Sequence, residues 1–97
     1  MSVFMQWNIR GLQANREELS LLLSQYYPTA VCIQETLLHS SKTASFKNYS
    51  YYGIPAVENN SSLHGGVAIL IKNSTPHQQL HILACRPLHF GLLAIKL

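Results

Sequence analysis

Aspartate is absent from this chain of 97 residues, whose four acidic side chains are Glu17, Glu18, Glu35 and Glu58. No pair of aspartates can therefore share a proton, no Asp-rich calcium loop can form, and no two-Asp metal site can be built from this chain alone. Charge of either sign is scarce. Only 11% of residues are charged while 47% are hydrophobic, against about 25% charged in an ordinary soluble domain. Such a chain either packs against something or is a piece whose remainder supplies the cover. High apolar content and a net charge of +3 exclude a disordered tail. Cys32 and Cys85 are too few for a disulfide framework and read as free thiols. No apolar run approaches the ~18 residues of a membrane span. The start, Met1 to Met5, has neither a basic segment nor a long apolar one, so no secretory signal is expected and the location reads as intracellular. The sequons at Asn48, Asn59, Asn60 and Asn73 then read as coincidence.

What is present organises into alternating elements. Val3 to Asn8 reads as a short strand, and Gly11 follows as a turn residue. Asn15 offers a helix cap with Glu18 as reciprocal partner, and Glu17 and Glu18 suit the positive end of a helix. Leu19, Leu22, Leu23 and Tyr26 form one apolar stripe, and Pro28 ends the helix, pushing Tyr27 out of the α region. Ala30 to Gln34 is a continuous apolar run and reads as a buried parallel strand, which completes a βαβ unit. Thr36 to Asn48 reads as a polar loop, and the aromatic stretch Phe46 to Tyr52 as a short strand. Pro55 to Leu63 reads as another loop with a flexible Asn/Ser centre. Val67 to Ile71, Gln79 to Cys85 and Phe90 to Leu97 read as strands, with a turn over Asn73 to Pro76 and a joint at Arg86 and Pro87. The expected fold class is α/β, a βαβ unit followed by a β-meander. The last strand stops in mid-pattern, so the chain is expected to be cut from a larger fold.

Ligands in open sheets gather beyond the carboxyl ends of parallel strands. Here those ends are Asn8 and Glu35. A fixed carboxylate beside a neutral amide is a possible Mg²⁺ site, since that ion takes one or two carboxylates and keeps several waters. Equally, Glu35 reads as a solvated loop residue and Asn8 as a turn cap. Gly65 and Gly66 either let a phosphate approach the backbone or simply make a turn. His77 and His81 would chelate a metal on a helix, but their setting reads as a strand, where four residues span about 13 Å. His39, His64 and His89 read as surface or turn residues. Arg10, Arg16, Lys42, Lys47 and Lys72 make a modest basic excess, with Arg10 and Lys42 flanking the proposed rim as phosphate contacts.

Three blocks occur in order: Trp7-Asn8-Ile9-Arg10-Gly11-Leu12, Ile33-Gln34-Glu35-Thr36, and Gly65-Gly66-Val67-Ala68-Ile69-Leu70. Together they resemble the start of an endonuclease/exonuclease/phosphatase domain of the DNase I-like fold. Within that family the pattern is most similar to the endonuclease domain of jockey-type non-LTR retrotransposons. The resemblance covers Val3 to Ile71, and more loosely Gln79 to Leu97. It implies that residues 1–97 are the N-terminal portion of a four-layer α/β sandwich whose activity is Mg²⁺-dependent nicking of DNA. Glu35 falls on the family's metal ligand, and Asn8 on an active-site Asn that helps hold metal and phosphate. Arg10 and Lys42 are expected on the DNA. Arg10 stands where apurinic-site repair relatives carry Asp. Leu63 and His64 stand where retroelement sequences often carry basic residues, which lowers the expected DNA contact.

The resemblance also implies what this chain does not contain. The family's later motifs carry an Asp and an Asn around the nucleophile and leaving group, and a final Asp-His pair that orients water. The expected partners are therefore DNA, a C-terminal half of the domain, and a reverse transcriptase in a parent polyprotein, with a nuclear location if functional. Whether the chain is itself an enzyme stays open. One reading is the metal-anchoring piece of an endonuclease, inactive alone. The other is a non-catalytic remnant or nucleic-acid-binding interaction fragment, and an unrelated small α/β module is a third.

Overall fold

Four strands with parallel and antiparallel neighbours form the central sheet, in the order β1-β2-β6-β3. The structure, a computed structural model, describes residues 3–39, 42, 44–59, 62–76, 78–85 and 90–96. In chain order the elements are β1 (Phe4–Asn8), α1 (Arg16–Tyr26), β2 (Ala30–Gln34), β3 (Tyr49–Ile54), β4 (Val57–Asn59), β5 (Ser62–His64), β6 (Val67–Lys72), β7 (Gln78–Cys85) and β8 (Phe90–Lys96). The βαβ start is present: β1 and β2 pair in parallel, from Phe4 opposite Ala30 to Asn8 opposite Gln34. No described helix is long and apolar enough to cross a membrane.

The antiparallel part departs from a simple meander. β6 inserts between β2 and β3 and pairs antiparallel with both. Its residues Ala68, Leu70 and Ile71 are all buried, so it has apolar side chains to offer on both faces and suits the centre. β1 carries exposed Gln6 and Asn8 and is an edge. The stretch expected as a loop from Pro55 holds a small hairpin, β4 against β5, with Val57 opposite His64. Its Asn/Ser-rich centre, Asn60 and Ser61, lies outside the described residues, as do the Arg86-Pro87 joint, His77 and His89. β7 and β8 pair as a separate two-stranded sheet, and His81 sits in a strand, as its setting implied.

One face of the central sheet packs on α1. Val31, Ile33 and Leu70 meet Leu19 and Leu23, with Met5, Trp7 and Tyr51 half-buried beside them. The polar connection from Thr36 to Asn48 is irregular, yet it sends Leu38, Ala44 and Phe46 into the same core. Arg16 fastens it, donating to Ser45 O at 2.5 Å and lying 4.6 Å from the Phe46 ring centre. On the opposite face Phe4 is 61% exposed, and Cys32 is exposed in the middle of β2. β2 is therefore buried on one face along its length, not on both.

Two helix-end expectations are corrected. Asn15 stands at the N-terminal boundary but makes no side-chain cap. Its amide instead donates to Ile9 O at 2.8 Å and Gly11 O at 3.1 Å, so it braces the β1–α1 loop and the capping box does not form. Tyr26 is 53% exposed and leaves the stripe to Leu19 and Leu23. Tyr27 has left the α region for a left-handed conformation, φ 42°, and its N–H closes the helix on Leu23 O.

Candidate functional site

The parallel ladder does not stop where the strands stop. Ile9 N–H donates to Gln34 O at 3.0 Å, Gly11 N–H to Glu35 O at 2.9 Å and Leu12 N–H to Thr36 O at 2.9 Å. The two loops beyond β1 and β2 thus run side by side. To do so they adopt rare backbone: Arg10 (φ 52°), Glu35 (φ 54°) and Leu37 (φ 55°) are all left-handed without being glycine. Such residues cost of order 1–3 kcal/mol each and persist where the surroundings over-determine them.

Gly65 and Gly66 supply that determination. Thr36 N–H donates to Gly66 O at 3.1 Å, and Leu37 N–H to Gly65 O at 3.0 Å. Gly66 has φ 89°, and a Cβ there would collide with Thr36 Oγ1 and stand 3.3 Å from both Leu37 N and Ala56 N. The space that a phosphate would need over Gly66 is filled by Thr36 and Leu37. The glycine pair therefore acts as a clamp on the Glu35 loop. Thr36 is only 1% exposed, and its hydroxyl accepts from Leu38 N–H at 3.4 Å.

At the rim this framework brings Asn8 and Glu35 together. Asn8 Nδ2 donates to Glu35 Oε2 at 2.5 Å, and both side chains are exposed. The pair leaves Asn8 Oδ1 and Glu35 Oε1 as hard acceptors on exposed side chains. That donor set suits a cation that keeps most of its water. Among the described residues no group of three or more His, Cys, Asp or Glu could hold a metal, so the pair could serve only as part of a metal's shell. Arg10 is exposed in the loop that bonds the Glu35 backbone. Lys42 shares no described hydrogen bond or ion pair with Asn8 or Glu35. It lines a separate groove with His39, Tyr51 and Gly53. His64, at the end of β5, is exposed.

Two other cations serve the fold. Arg16 covers Phe46, and Lys72 Nζ lies 3.8 Å from the Tyr27 ring centre. That ring meets Tyr49 edge to face at 6.1 Å. Tyr49 donates its hydroxyl to Pro28 O at 2.5 Å, and burial, with Tyr27 beside it, pushes its phenol up to about 12. Sequence reasoning missed the clamp: a Gly-Gly pair before a strand signals a turn, and only the pairing of β6 with β2 sets it against Thr36.

Three comparisons bear on this geometry. Residues 5–90 match the Endonuclease/Exonuclease/phosphatase family. No curated protein matches the chain in sequence. Among solved structures, AP endonuclease LMAP from Leishmania major is similar at 25% identity and a TM-score of 0.60, over 73% of this chain and 24% of that one. The Xenopus laevis APE2 catalytic domain is similar at 26% identity and a TM-score of 0.56, over 77% of this chain and 26% of that one. An AP endonuclease from Archaeoglobus fulgidus, at 18% identity and a TM-score of 0.62, shares the fold over 86% of this chain and 30% of its own. The chain thus spans roughly a quarter to a third of the length of these structures. With residues 5–90, most of its length, matching the family, the chain belongs to the Endonuclease/Exonuclease/phosphatase family.

Proposed function

We propose that this chain is the metal-anchoring part of a divalent-metal-dependent DNA endonuclease, of the kind carried by jockey-type non-LTR retrotransposons. The observation that carries the reading is the Asn8–Glu35 pair, held at the ends of two parallel strands by left-handed backbone. Membership of the family and the AP endonuclease relatives support phosphodiester chemistry on DNA. The order of the three sequence blocks supports the retroelement branch, and with it a reverse transcriptase partner and a nuclear place of action.

Glu35 and Asn8 would hold the cation, taken as Mg²⁺. When bound, that ion neutralises phosphoryl charge and acidifies a coordinated water. The residues of this chain do the rest of the local work. Asn8 fixes the Glu35 carboxylate by hydrogen bonding one oxygen, and the other would be available to a cation. The Glu35 backbone carbonyl is occupied by Gly11 N–H, so the side chain cannot swing with its loop. Arg10 stands beside it for a phosphate oxygen. The chain has no Asp with which to orient the attacking water through a histidine. That step falls to a companion C-terminal half, and the 97 residues alone cleave nothing.

Nicking of supercoiled plasmid in Mg²⁺ tests the catalytic statement. No nicking is expected from the chain alone, and nicking that Glu35→Ala abolishes would overturn it. Titration with Mn²⁺ tests the anchoring: NMR broadening should centre on the Asn8 side-chain amide and the Glu35 backbone amide. Broadening elsewhere, or none, would favour the non-catalytic remnant.

A further inference from the structure

The groove that holds Lys42 is built from parts the Asn8–Glu35 pair does not use. Leu38, His39 and Lys42 form one wall, and Tyr51, Gly53 and Ile54 of β3 form the other, around a volume of about 280 Å³. Its walls are tied together. Ala56 N–H, just past β3, donates to Leu38 O at 2.8 Å, and Lys42 N–H donates to His39 O at 2.9 Å. The imidazole of His39 lies 3.6 Å from the Glu58 carboxylate of β4. Burial pushes the Tyr51 phenol up, so it stays a neutral hydroxyl at neutral pH. A Cβ on Gly53 would stand 2.8 Å from Tyr51 Cε1 and 3.0 Å from its hydroxyl. The Tyr51 ring can lie where it does only because residue 53 lacks a side chain.

The groove therefore offers a cation, an imidazole and a neutral hydroxyl, with apolar lining from Ile54 and Pro55. That is the pattern of a ligand with an anionic end and a ring. Its volume sits near the low end of ligand pockets, about 300–1,000 Å³, which admits one small unit and not a run of several. Leu38 also lies on the same connection as Glu35, three residues on.

We propose that the groove holds one nucleotide unit of the DNA strand, its phosphate on Lys42 and His39 and its ring against Ile54 and Pro55. The proposal rests on the reading of the chain as a DNA endonuclease, but it needs no metal. Glu58 competes with the phosphate for His39 and so weakens the contact.

The test is a titration of the ¹⁵N-labelled chain in EDTA with a 5′-phosphorylated thymidine dinucleotide, with inorganic phosphate and thymidine as comparators. Backbone shifts are expected at Leu38, Lys42 and Gly53. Lys42→Ala should weaken binding about fivefold, and Glu58→Gln should tighten it about twofold or more. Gly53→Ala, which forces the Tyr51 ring that lines the groove out of its place, should weaken it without altering charge. Glu35→Gln should leave this binding unchanged while it abolishes Mn²⁺ broadening, so failure of the groove and failure of the metal site are read separately. The proposal is overturned if inorganic phosphate binds as tightly as the dinucleotide, or if the shifts fall elsewhere. It is equally overturned if Lys42→Ala and Gly53→Ala, with native-like spectra, bind as the parent does. Should Gly53→Ala lose its fold, Glu58→Gln at an exposed position still decides.

Discussion

The two ends of the central sheet are built on opposite principles. At the end where β1 and β2 finish, polar side chains are exposed and the backbone is left-handed at Arg10, Glu35 and Leu37. At the other end, side chains close on one another. Lys72 covers Tyr27, Tyr27 meets Tyr49, and Tyr49 bonds Pro28 O, while Thr29 is held by Val3 O and holds Lys72 N–H. The first end gives up backbone comfort to place a carboxylate, and the second recovers stability through packing and satisfied hydrogen bonds. The end that carries Asn8 and Glu35 is therefore the one whose geometry depends on distant support, namely the glycine clamp before β6.

The sharpest way to break this contrast is Gly66→Ala. It combines a disfavoured positive φ with a clash against Thr36, and it should destabilise by about 2–4 kcal/mol in urea unfolding. It should also displace the Asn8–Glu35 pair, seen as a changed Asn8 side-chain amide signal. An effect no larger than an ordinary surface change would mean the clamp is dispensable. Glu35→Gln probes the same end with the reverse signature. Mn²⁺ affinity should fall at least about tenfold while stability stays within about 0.5 kcal/mol.

At the closed end the effects are on stability alone. Tyr49→Phe leaves the Pro28 carbonyl without its donor and should cost about 1–2 kcal/mol with no loss of Mn²⁺ binding. The same residue fixes a pH window. Its folded pKa of about 12 exceeds the ordinary tyrosine value of 10.0, so the unfolded chain loses this proton first. Stability should be full below pH 10 and fall as pH rises toward 12, and Tyr49→Phe should flatten that limb. The smallest effect is Lys72→Ala, about 0.5–1 kcal/mol from the lost cation–ring contact. Urea midpoints across the series rank these claims.

Much of this was legible in the residues. The apolar runs of β2 and β6 and the Leu19–Leu23 stripe announced themselves by periodicity, because burial imposes it. Asn8 and Glu35 could be named because a parallel strand pair leaves its carboxyl ends at one rim, and the structure places the two within hydrogen-bond distance. What was not legible depends on pairing between distant segments. The insertion of β6 between β2 and β3 is decided by competition among strands, and no local pattern records it. The β4–β5 hairpin was hidden because Asn and Ser mark a turn and a loose loop alike. Asn15 was misjudged as a cap because its amide can donate backward as readily as its oxygen can accept forward. Lys42 was placed on the rim by charge alone, whereas the structure sets it in a groove beside β3.

The insertion of β6 also dictates an order of assembly as the chain leaves the ribosome. Asn8 and Glu35 can meet as soon as β2 has emerged, since β1 and β2 are neighbours and α1 lies between them in sequence. At that moment the Glu35 loop has only its bonds from Gly11 and Leu12. The bonds on its far side, from Thr36 and Leu37 to Gly66 and Gly65, wait for a segment that emerges only after the aromatic strand and the small hairpin have been made. Closing that long loop carries the larger entropic toll and belongs to the slow part of folding. A nascent chain thus carries the carboxylate well before its loop is fully braced, and the proposed cation site is complete only when the last strand of the central sheet arrives.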